Sequence, residues 1–166
     1  MTELIQGNET HIAIIAAIAE ETWAQTYKDI LSPGQLRFML DVIYSPTELL
    51  KSMQNGSQKF ILVSNCNSIQ GFASFGARQS SATTFKLHKL YVLPGNHGKG
   101  FGRLLIEAVK KEVLRRGGDT LELNVNRFNP AQEFYKKLGF NIIREEDIPI
   151  GEYWMNDYVM RLVLKQ

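Results

Sequence analysis

A run of glycines between a strand-like and a helix-like segment constrains the fold of this chain more than any other feature. Residues 94–105 read PGNHGKGFGRLL; the preceding TFKLHKLYV is rich in β-branched and aromatic residues, and apolar residues follow at helical spacing. A strand that enters a helix through a glycine-rich loop leaves backbone N–H groups free at the helix N-terminus, where the helix dipole favours an anion. The stretch therefore predicts α/β structure with a phosphate-binding loop.

Two familiar phosphate-binding patterns do not match this loop. A P-loop requires Ser or Thr after Gly-Lys, whereas Gly98 and Lys99 are followed by Gly100. A Rossmann fingerprint requires G-x-G-x-x-G in the first strand–helix unit, whereas these glycines are spaced G-x-G-x-G and lie past the middle of the chain. A flexible surface turn ahead of a helix is the alternative that the loop alone leaves open.

The rest of the chain alternates between strand and helix periods without a linker, so we predict one domain over residues 1–166. Ser32-Pro33 and Ser45-Pro46 each place a capping hydroxyl before a proline at a first helical position. The predicted strands are residues 4–5, 59–64, 69–77, 83–92, 119–126, 140–146 and 158–164. The predicted helices begin at the cap Thr10 and run to about Tyr27, follow Ser32 and Ser45, start at Phe101, and lie between Asn129 and Gly139.

Composition excludes several classes of protein. With 19 basic and 17 acidic residues the net charge is +2, which argues against a dedicated nucleic-acid binder. Cys66 is the single cysteine, so no internal disulfide can form, and a reducing, cytoplasmic location is expected. No apolar run is long enough to cross a membrane, and residues 1–10 do not resemble a signal peptide. We predict no membrane or nucleic-acid partner and no metal site.

Two motifs at matching spacing resemble those of the GNAT superfamily, the GCN5-related N-acetyltransferases. LHKLYVLPGNHGKGFGRLL is similar to motif A, whose signature Gln/Arg-x-x-Gly-x-Gly/Ala falls on residues 97–102. His97 stands where the family has Gln or Arg. About thirty residues later, NPAQEFYKKLGF is similar to motif B, an Asn…Tyr-x-x-x-Gly-Phe pattern. The resemblance extends over nearly the whole chain.

The resemblance implies an α/β fold with a mixed, mostly antiparallel sheet of six to seven strands and four to five helices. It implies acetyl-CoA as the cofactor, with its pyrophosphate on the loop amides and its pantetheine arm along a strand edge that splays from its neighbour. Side chains at Gly100 or Gly102 would obstruct the pyrophosphate. The cofactor-binding residues it implies are Leu90, Tyr91, Val92, His97, Gly98, Lys99, Gly100, Phe101, Gly102, Arg103, Asn129, Tyr135 and Lys137.

The resemblance also implies a direct transfer of the acetyl group to a primary amine. Tyr135 corresponds to the general acid that protonates the departing thiolate. Lys86 occupies the position where many members carry a glutamate base. His88, two residues later, is the candidate base, and a half-buried strand histidine is its structural alternative. Cys66 has no His/Asp partner pattern, so a covalent acetyl-cysteine route is not expected.

The acceptor is the least determined feature at this stage. In the family the segment after residue 20 borders the acceptor pocket, which points to Glu20, Glu21, Trp23 and Tyr27; a solvated helix face is the alternative for the carboxylates. A diffuse similarity to the bacterial spermidine/spermine acetyltransferases suggests a polyamine or another small amine. The alternatives are a protein N-terminal or lysine acetyltransferase, a drug acetyltransferase, and a non-catalytic acyl-CoA-binding module. A homodimer, common in the family, is left open.

Overall fold

The computed structural model describes residues 1–164, which form one seven-stranded sheet with helices on both faces. The strands are β1 (Thr2–Gln6), β2 (Lys59–Asn65), β3 (Ser68–Ala77), β4 (Thr84–Val92), β5 (Thr120–Asn126), β6 (Asn141–Ile150) and β7 (Tyr153–Val163). The helices are α1 (Ile12–Tyr27), α2 (Pro33–Tyr44), α3 (Pro46–Gln54), α4 (Phe101–Arg115) and α5 (Ala131–Lys137), with short 3₁₀ turns at Glu9–His11 and Pro94–Asn96.

The strand order is β1–β2–β3–β4–β5–β7–β6, and only β4 and β5 run parallel. The parallel pair is joined through the glycine loop and α4, as expected for a strand–helix–strand crossover. This arrangement confirms the predicted fold class. It also places the glycine loop at the end of a strand near the centre of the sheet, where neighbouring elements can surround a ligand.

Local capping signals decide where the first three helices begin. Ser32 Oγ accepts a hydrogen bond from Gln35 N at 3.1 Å, and Ser45 Oγ accepts one from Glu48 N at 3.3 Å, which confirms both predicted Ser-Pro starts. The predicted cap Thr10 is wrong. Asn8 accepts from the backbone N–H of Thr10 at 2.9 Å and opens a 3₁₀ turn that leads into α1.

The hairpin of β6 and β7 is longer than predicted at both strands. The predicted strands stop short of the turn between them because Asp147, Pro149 and Gly151 are residue types that normally interrupt strands. β6 is the last strand of the sheet, however, and a proline is tolerated on an edge strand because no ladder bond is required of its nitrogen. The hairpin therefore extends past the sheet toward α2, where Gln35 Nε2 donates to Trp154 O at 2.8 Å.

Each face of the sheet has its own apolar core. On one face, α4 and α5 cover residues that include Phe75, Leu87 and Leu121. On the other face, α1, α2 and α3 cover Phe60, Leu62 and Phe72. Burial on both faces fixes which side chains of β4 point toward α4 and which point toward α1. None of the helices formed by residues 1–164 has the length and apolar character that a membrane crossing requires.

Candidate functional site

The glycine loop forms an open cradle at the start of α4. Gly98 and Gly100 have φ of +83° and +85°, a left-handed conformation that glycine adopts without strain. A Cβ atom built on either residue meets no atom within 4 Å. No side chain caps the first turn of α4, so its N–H groups are available to an external acceptor. These features fit a pyrophosphate, which accepts several hydrogen bonds and carries negative charge.

Phe101 and Gly102, next to the cradle, pack against the rest of the domain. Phe101 is buried in the core beneath α4 and holds the helix start against the sheet. A Cβ on Gly102 would lie 3.3 Å from the ring of Phe134, tighter than normal packing. The close approach of α5 to α4 is therefore a second reason for glycine at 102, beside the space for a ligand that the sequence predicts.

Exposed cations border the loop. Lys99 donates to Asn96 Oδ1 at 2.9 Å, so its ammonium is held on the side of the preceding 3₁₀ turn. Arg103 in α4 and Lys137 in α5 are exposed and form no ion pair within residues 1–164. The contact between Gly102 and Phe134 brings α5 alongside α4. Positive charge thus stands on both helices beside the cradle, where it complements phosphate.

His97 has a structural role in this arrangement. Its Nε2 lies 2.9 Å from the carbonyl oxygen of Val92, and because a carbonyl only accepts, Nε2 carries the proton. The bond ties the loop to the end of β4. The sequence left open whether His97 replaces the Gln or Arg of the family; in this chain its ring fastens the loop to the strand.

The strands beneath the loop separate, as the resemblance implied. The ladder between β4 and β5 ends at the pair Leu87 and Leu123, although both strands continue. In β4, His88 is an extra residue, because Leu87 and Lys89 pair with consecutive residues of β3. Beyond this bulge, Leu90, Tyr91 and Val92 complete β4 and present an edge that β5 does not pair. An extended ligand can bind such an edge by backbone hydrogen bonds.

Three phenols surround this opening: Tyr135 of α5, Tyr27 of α1 and Tyr91 of β4. Tyr135 of α5 is 8% exposed, and burial raises the pKa of its hydroxyl, with a smaller contribution from Tyr91. Burial also raises the pKa of Tyr27 in α1, to which Tyr91 and Tyr135 both contribute. Asn129 donates to Tyr27 Oη at 3.2 Å and accepts from Ala131 N at 2.9 Å. The raised pKa keeps Tyr135 protonated, as a proton donor must be.

His88 is a poor candidate for the base. Burial, followed by the charges of Lys86, Lys89 and Arg78, lowers the pKa of His88 to about 3. A group with that pKa holds almost no proton at neutral pH and is a weak base. Its Nε2 also lies near Gly76 of β3, the strand on the side away from β5. The bulge sets this orientation, and the sequence does not predict it.

The four residues of α1 that the sequence assigned to the acceptor do not form one surface. Glu20 and Glu21 are exposed, and Glu20 pairs with Arg37 at 3.0 Å on the outside of the molecule. Trp23 and Tyr27 are 3% and 4% exposed and point toward the sheet. Burial separates the two pairs, because both aromatic side chains pack in the core whereas both carboxylates stay at the surface of α1. Of the four, Tyr27 is the one that reaches the opening.

Asp157 of β7 is a site residue that the sequence prediction missed. It is 5% exposed, its Oδ1 has no hydrogen-bond partner within residues 1–164, and its Oδ2 accepts only from Asn124 Nδ2 at 3.3 Å. One signal could have identified it. Met155 and Val159, two residues to either side on the same strand face, are apolar and buried, so a carboxylate between them is unexpected.

Comparisons with known proteins agree with this geometry. Residues 25–159 match the family described as acetyltransferase (GNAT) domain. An uncharacterised N-acetyltransferase of Mycobacterium bovis is 28% identical over 147 residues, which cover 88% of this chain and 93% of that protein. The [ribosomal protein bS18]-alanine N-acetyltransferase of Haemophilus influenzae is 38% identical over 75 residues, 45% of this chain and 49% of that protein.

Solved structures show the same fold. The PaiA N-acetyltransferase of Thermoplasma acidophilum in complex with coenzyme A superposes with a TM-score of 0.82 at 24% identity, over 98% of this chain and 99% of the other. A GCN5-related N-acetyltransferase of Rhodopseudomonas palustris gives a TM-score of 0.83 at 22% identity, over 99% and 96% of the two chains.

Proposed function

Because this chain belongs to the GNAT acetyltransferase family, we propose that it transfers the acetyl group of acetyl-CoA directly to a small primary amine. The observation that carries the proposal is the separation of β4 from β5 directly below the glycine cradle. With its pyrophosphate on the cradle and its extended arm on the free edge of β4, acetyl-CoA would carry its thioester to the region around Tyr135 and Tyr27. Binding and chemistry therefore share a continuous path.

The chain supplies binding, orientation and a proton. Acetyl-CoA brings the activated thioester and its thiol leaving group. The first-turn amides of α4, with Arg103 and Lys137 beside them, hold the pyrophosphate. The unpaired backbone of residues 90–92 orients the arm. Tyr135 supplies a proton to the departing sulfur, and its burial excludes the water that would compete with the amine.

Two observations support a small acceptor rather than a protein tail. α2 and the β6–β7 hairpin touch each other across the opening: Phe38 and Tyr153 have ring centroids 5.4 Å apart, and Gln35 bonds the backbone of Trp154. A Cβ on Gly151 would collide with the ring of Phe38, so the hairpin tip is packed tightly there. This contact closes the α1–α3 face of the sheet between α2 and the hairpin, and we take a closed face as favouring a compact substrate.

The particular choice of a polyamine loses its original support. It rested on Glu20 and Glu21 lying beside Trp23 and Tyr27, and these pairs are separated as described above. The positive charge of Lys86 acts on Asp157 and would repel a second ammonium group bound there. We therefore favour an acceptor with one ammonium group at the site.

The test is an amine panel with acetyl-CoA, read out as free CoA thiol. The panel contains a simple monoamine, an amino acid, spermidine, an aminoglycoside and a peptide with a free N-terminus. We expect turnover with small primary amines and none with N-acetylated controls. Tight binding of CoA without turnover of any amine would instead identify a non-catalytic acyl-CoA-binding module, and turnover of the peptide alone would identify a protein acetyltransferase.

A further inference from the structure

Asp157 leaves an unexplained charge next to the proposed acceptor site. Buried polar atoms in proteins nearly always have a hydrogen-bond partner, yet Oδ1 of this buried carboxyl has none within residues 1–164. The bond from Asn124 to Oδ2 is long at 3.3 Å. Arg127 donates to the backbone oxygen of Asp157, at 3.1 Å, and gives its side-chain ion pair to Asp147 instead. One oxygen is thus free to accept a proton or an N–H group.

The carboxyl lies where the strands have separated. Asp157 pairs with Asn126, which is three residues past Leu123, the last residue of β5 that β4 contacts through the ladder. Its ladder partner Asn126 accepts a hydrogen bond from the backbone N–H of Asn129 at 3.0 Å, and the Asn129 side chain donates to Tyr27 Oη at 3.2 Å. The charge of Asp157 also contributes to the raised pKa values of Tyr27 in α1 and Tyr91 in β4. Tyr135 interacts with the same two phenols. Asp157 and the proposed acid are therefore on either side of one small group of hydroxyls.

We infer that Asp157 is the catalytic base, which receives the ammonium of the acceptor and removes its proton before attack; this inference rests on the proposed acetyltransferase function. An alkylammonium has a pKa of about 10.4 and cannot attack until it is deprotonated. A buried carboxylate with a free oxygen can hold such a cation and accept the proton. A base at Asp157 would compensate for the lysine, Lys86, that this chain has at the β4 position where many family members carry a glutamate.

Asp157 and Tyr135 together complete the proton balance of the step. Asp157 takes one proton from the ammonium, and the neutral nitrogen forms the C–N bond of the amide as the C–S bond of the thioester breaks. Tyr135 gives its proton to the departing sulfur and takes the second proton from the nitrogen. Asp157 then releases its proton to solvent. The products are the amide, the CoA thiol and one proton, with no oxidant or further reactant required.

The surroundings of Asp157 tune it toward this role. Burial raises the pKa of the carboxyl above its ordinary value, and the charge of Glu146 acts in the same direction. The hydrogen bond from Asn124 and the charges of Lys86 and Arg127 oppose the rise. The titratable and charged groups that face it are Lys86 and Tyr91 from β4, Glu146 from β6, Arg127 from the loop after β5, and Tyr27 from α1.

The decisive variant is Asp157→Asn, assayed with the best amine of the panel over pH 5 to 10. We expect kcat/KM at neutral pH to fall by roughly 10²–10⁴-fold. The remaining rate of the variant should rise with pH only as the fraction of unprotonated amine in solution rises. The pH–rate profile of the parent should show an acid limb, an additional fall in rate at acid pH, where the carboxylate of Asp157 is protonated. Acetyl-CoA affinity should stay within about twofold, because Asp157 lies away from the cradle.

Two comparisons separate catalysis from a structural role. Asp147→Asn removes an exposed carboxylate of β6 that pairs with Arg127, and it should keep the parent pH profile. Asp157→Asn should unfold at the same or a higher temperature than the parent, since it removes a buried charge without a partner. If the variant does not fold, the parent's kcat profile at saturating amine decides, because it must show an acid limb with a pKa above about 3.9.

The outcomes distinguish the two proposals. A parent protein that acetylates no amine contradicts the proposed function, and the role of Asp157 falls with it. An active parent with a folded Asp157→Asn variant of unchanged rate and pH profile contradicts the role of Asp157 alone. A rate loss with an unchanged acid limb would mean that another group is the base, and it would overturn the inference equally.

Discussion

At the scale of single residues, the site depends on a few side chains whose protonation is set by burial. Tyr135 is held between Phe134 and Phe140, with ring centroids 5.4 and 5.7 Å away, so its hydroxyl position is fixed by packing. The pKa of this hydroxyl is raised, so it holds its proton across the physiological range. A fixed phenol that stays protonated is suited to donate to a leaving group and cannot be the group that first deprotonates the ammonium.

Tyr135→Phe removes this proton donor and leaves the ring packing intact. We expect kcat to fall by roughly 10²–10⁴-fold, with little change in CoA affinity, because the hydroxyl acts on the leaving sulfur. Steady-state kinetics and calorimetry with CoA measure the two effects. Tyr158→Phe is the matched control, since Tyr158 lies on β7 beside Arg127. Equal rates for the Tyr135 variant and the parent, with chemistry rate-limiting, would return Tyr135 to a packing role.

Lys89 provides a separate test of how burial controls charge. Burial, and secondarily the charge of Lys86, lowers the pKa of Lys89 from 10.5 to about 8. Its Nζ donates to Gln58 Oε1 at 2.8 Å and lies 5.4 Å from the centre of the Tyr44 ring, with no carboxylate beside it. Between pH 8 and 10.5 the unfolded chain therefore binds more protons at this residue than the folded protein, and the free energy of unfolding rises with pH.

Lys89→Met should remove that pH dependence. The parent gains up to roughly 3 kcal/mol in this window, since one pKa unit corresponds to about 1.4 kcal/mol. We expect the variant to be more stable than the parent at pH 7 and the difference to shrink toward pH 10.5. Urea unfolding at several pH values measures it, with Lys111→Met on the exposed side of α4 as control. A constant difference between variant and parent would contradict the lowered pKa.

At the scale of elements, the important unit is the joint between β4 and α4. Left-handed glycines make the turn, free amides open α4, and His97 fastens the loop to the last residue of β4. The ladder to β5 ends below the same joint. The glycine loop and the free strand edge are therefore parts of one local arrangement. We expect a change in the loop to alter cofactor affinity rather than the rate of the chemical step.

Gly100→Glu tests the cradle. The new carboxylate points into the open space in front of the helix start, and a like charge about 4 Å from a phosphate costs about 4 kcal/mol near a protein surface. We expect CoA affinity to fall roughly 1,000-fold, measured by calorimetry. Gly56→Glu controls for the strain of a left-handed glutamate, because Gly56 has φ +73° and equally open surroundings. A folded Gly100 variant with parental affinity would contradict the phosphate-binding loop.

At the scale of the whole molecule, one sheet separates two apolar cores. Leu105 belongs to the core under α4, and Trp23 belongs to the core under α1 on the opposite face. Both cores contact the same strands, so loss of packing on one face weakens the support of the other. The two cores are separate clusters of side chains on opposite faces of the sheet. We nevertheless expect the domain to unfold as one cooperative unit.

Leu105→Ala tests this coupling across the sheet. The fully buried leucine should cost about 2–5 kcal/mol when truncated. Its neighbour Leu104 is 37% exposed, and Leu104→Ala should change stability by less than about 0.5 kcal/mol. Far-UV circular dichroism reports the whole sheet. The change in tryptophan fluorescence reports mainly the face of Trp23, because Trp23 is buried whereas Trp154 is already 56% exposed in the folded protein. Coincident transitions in the Leu105 variant support one unit, whereas an earlier loss of one signal would show that the two faces unfold separately.

Several features could be predicted from the sequence because they depend on neighbours in the chain. The spacing of glycines at 98 and 100 predicts the loop, and Ser-Pro pairs at 32 and 45 predict two helix starts. Strand and helix periods predict the order of elements and the fold class. Where local signals competed, the prediction failed: Asn8 replaced Thr10 as the first cap, and an edge position allowed β6 to continue through Pro149.

Other features were decided only when distant segments came together. The bulge at His88 depends on pairing with β3, and it turns the ring away from β5. The separation of β4 from β5 and the location of Asp157 depend on a sheet order in which β7 lies next to β5. Local sequence sets backbone preferences over a few residues, whereas the charge state of a carboxyl depends on which strands and helices bury it. The sequence by itself thus determined the fold and the glycine loop, and tertiary packing decided which carboxyl is buried beside the proposed site.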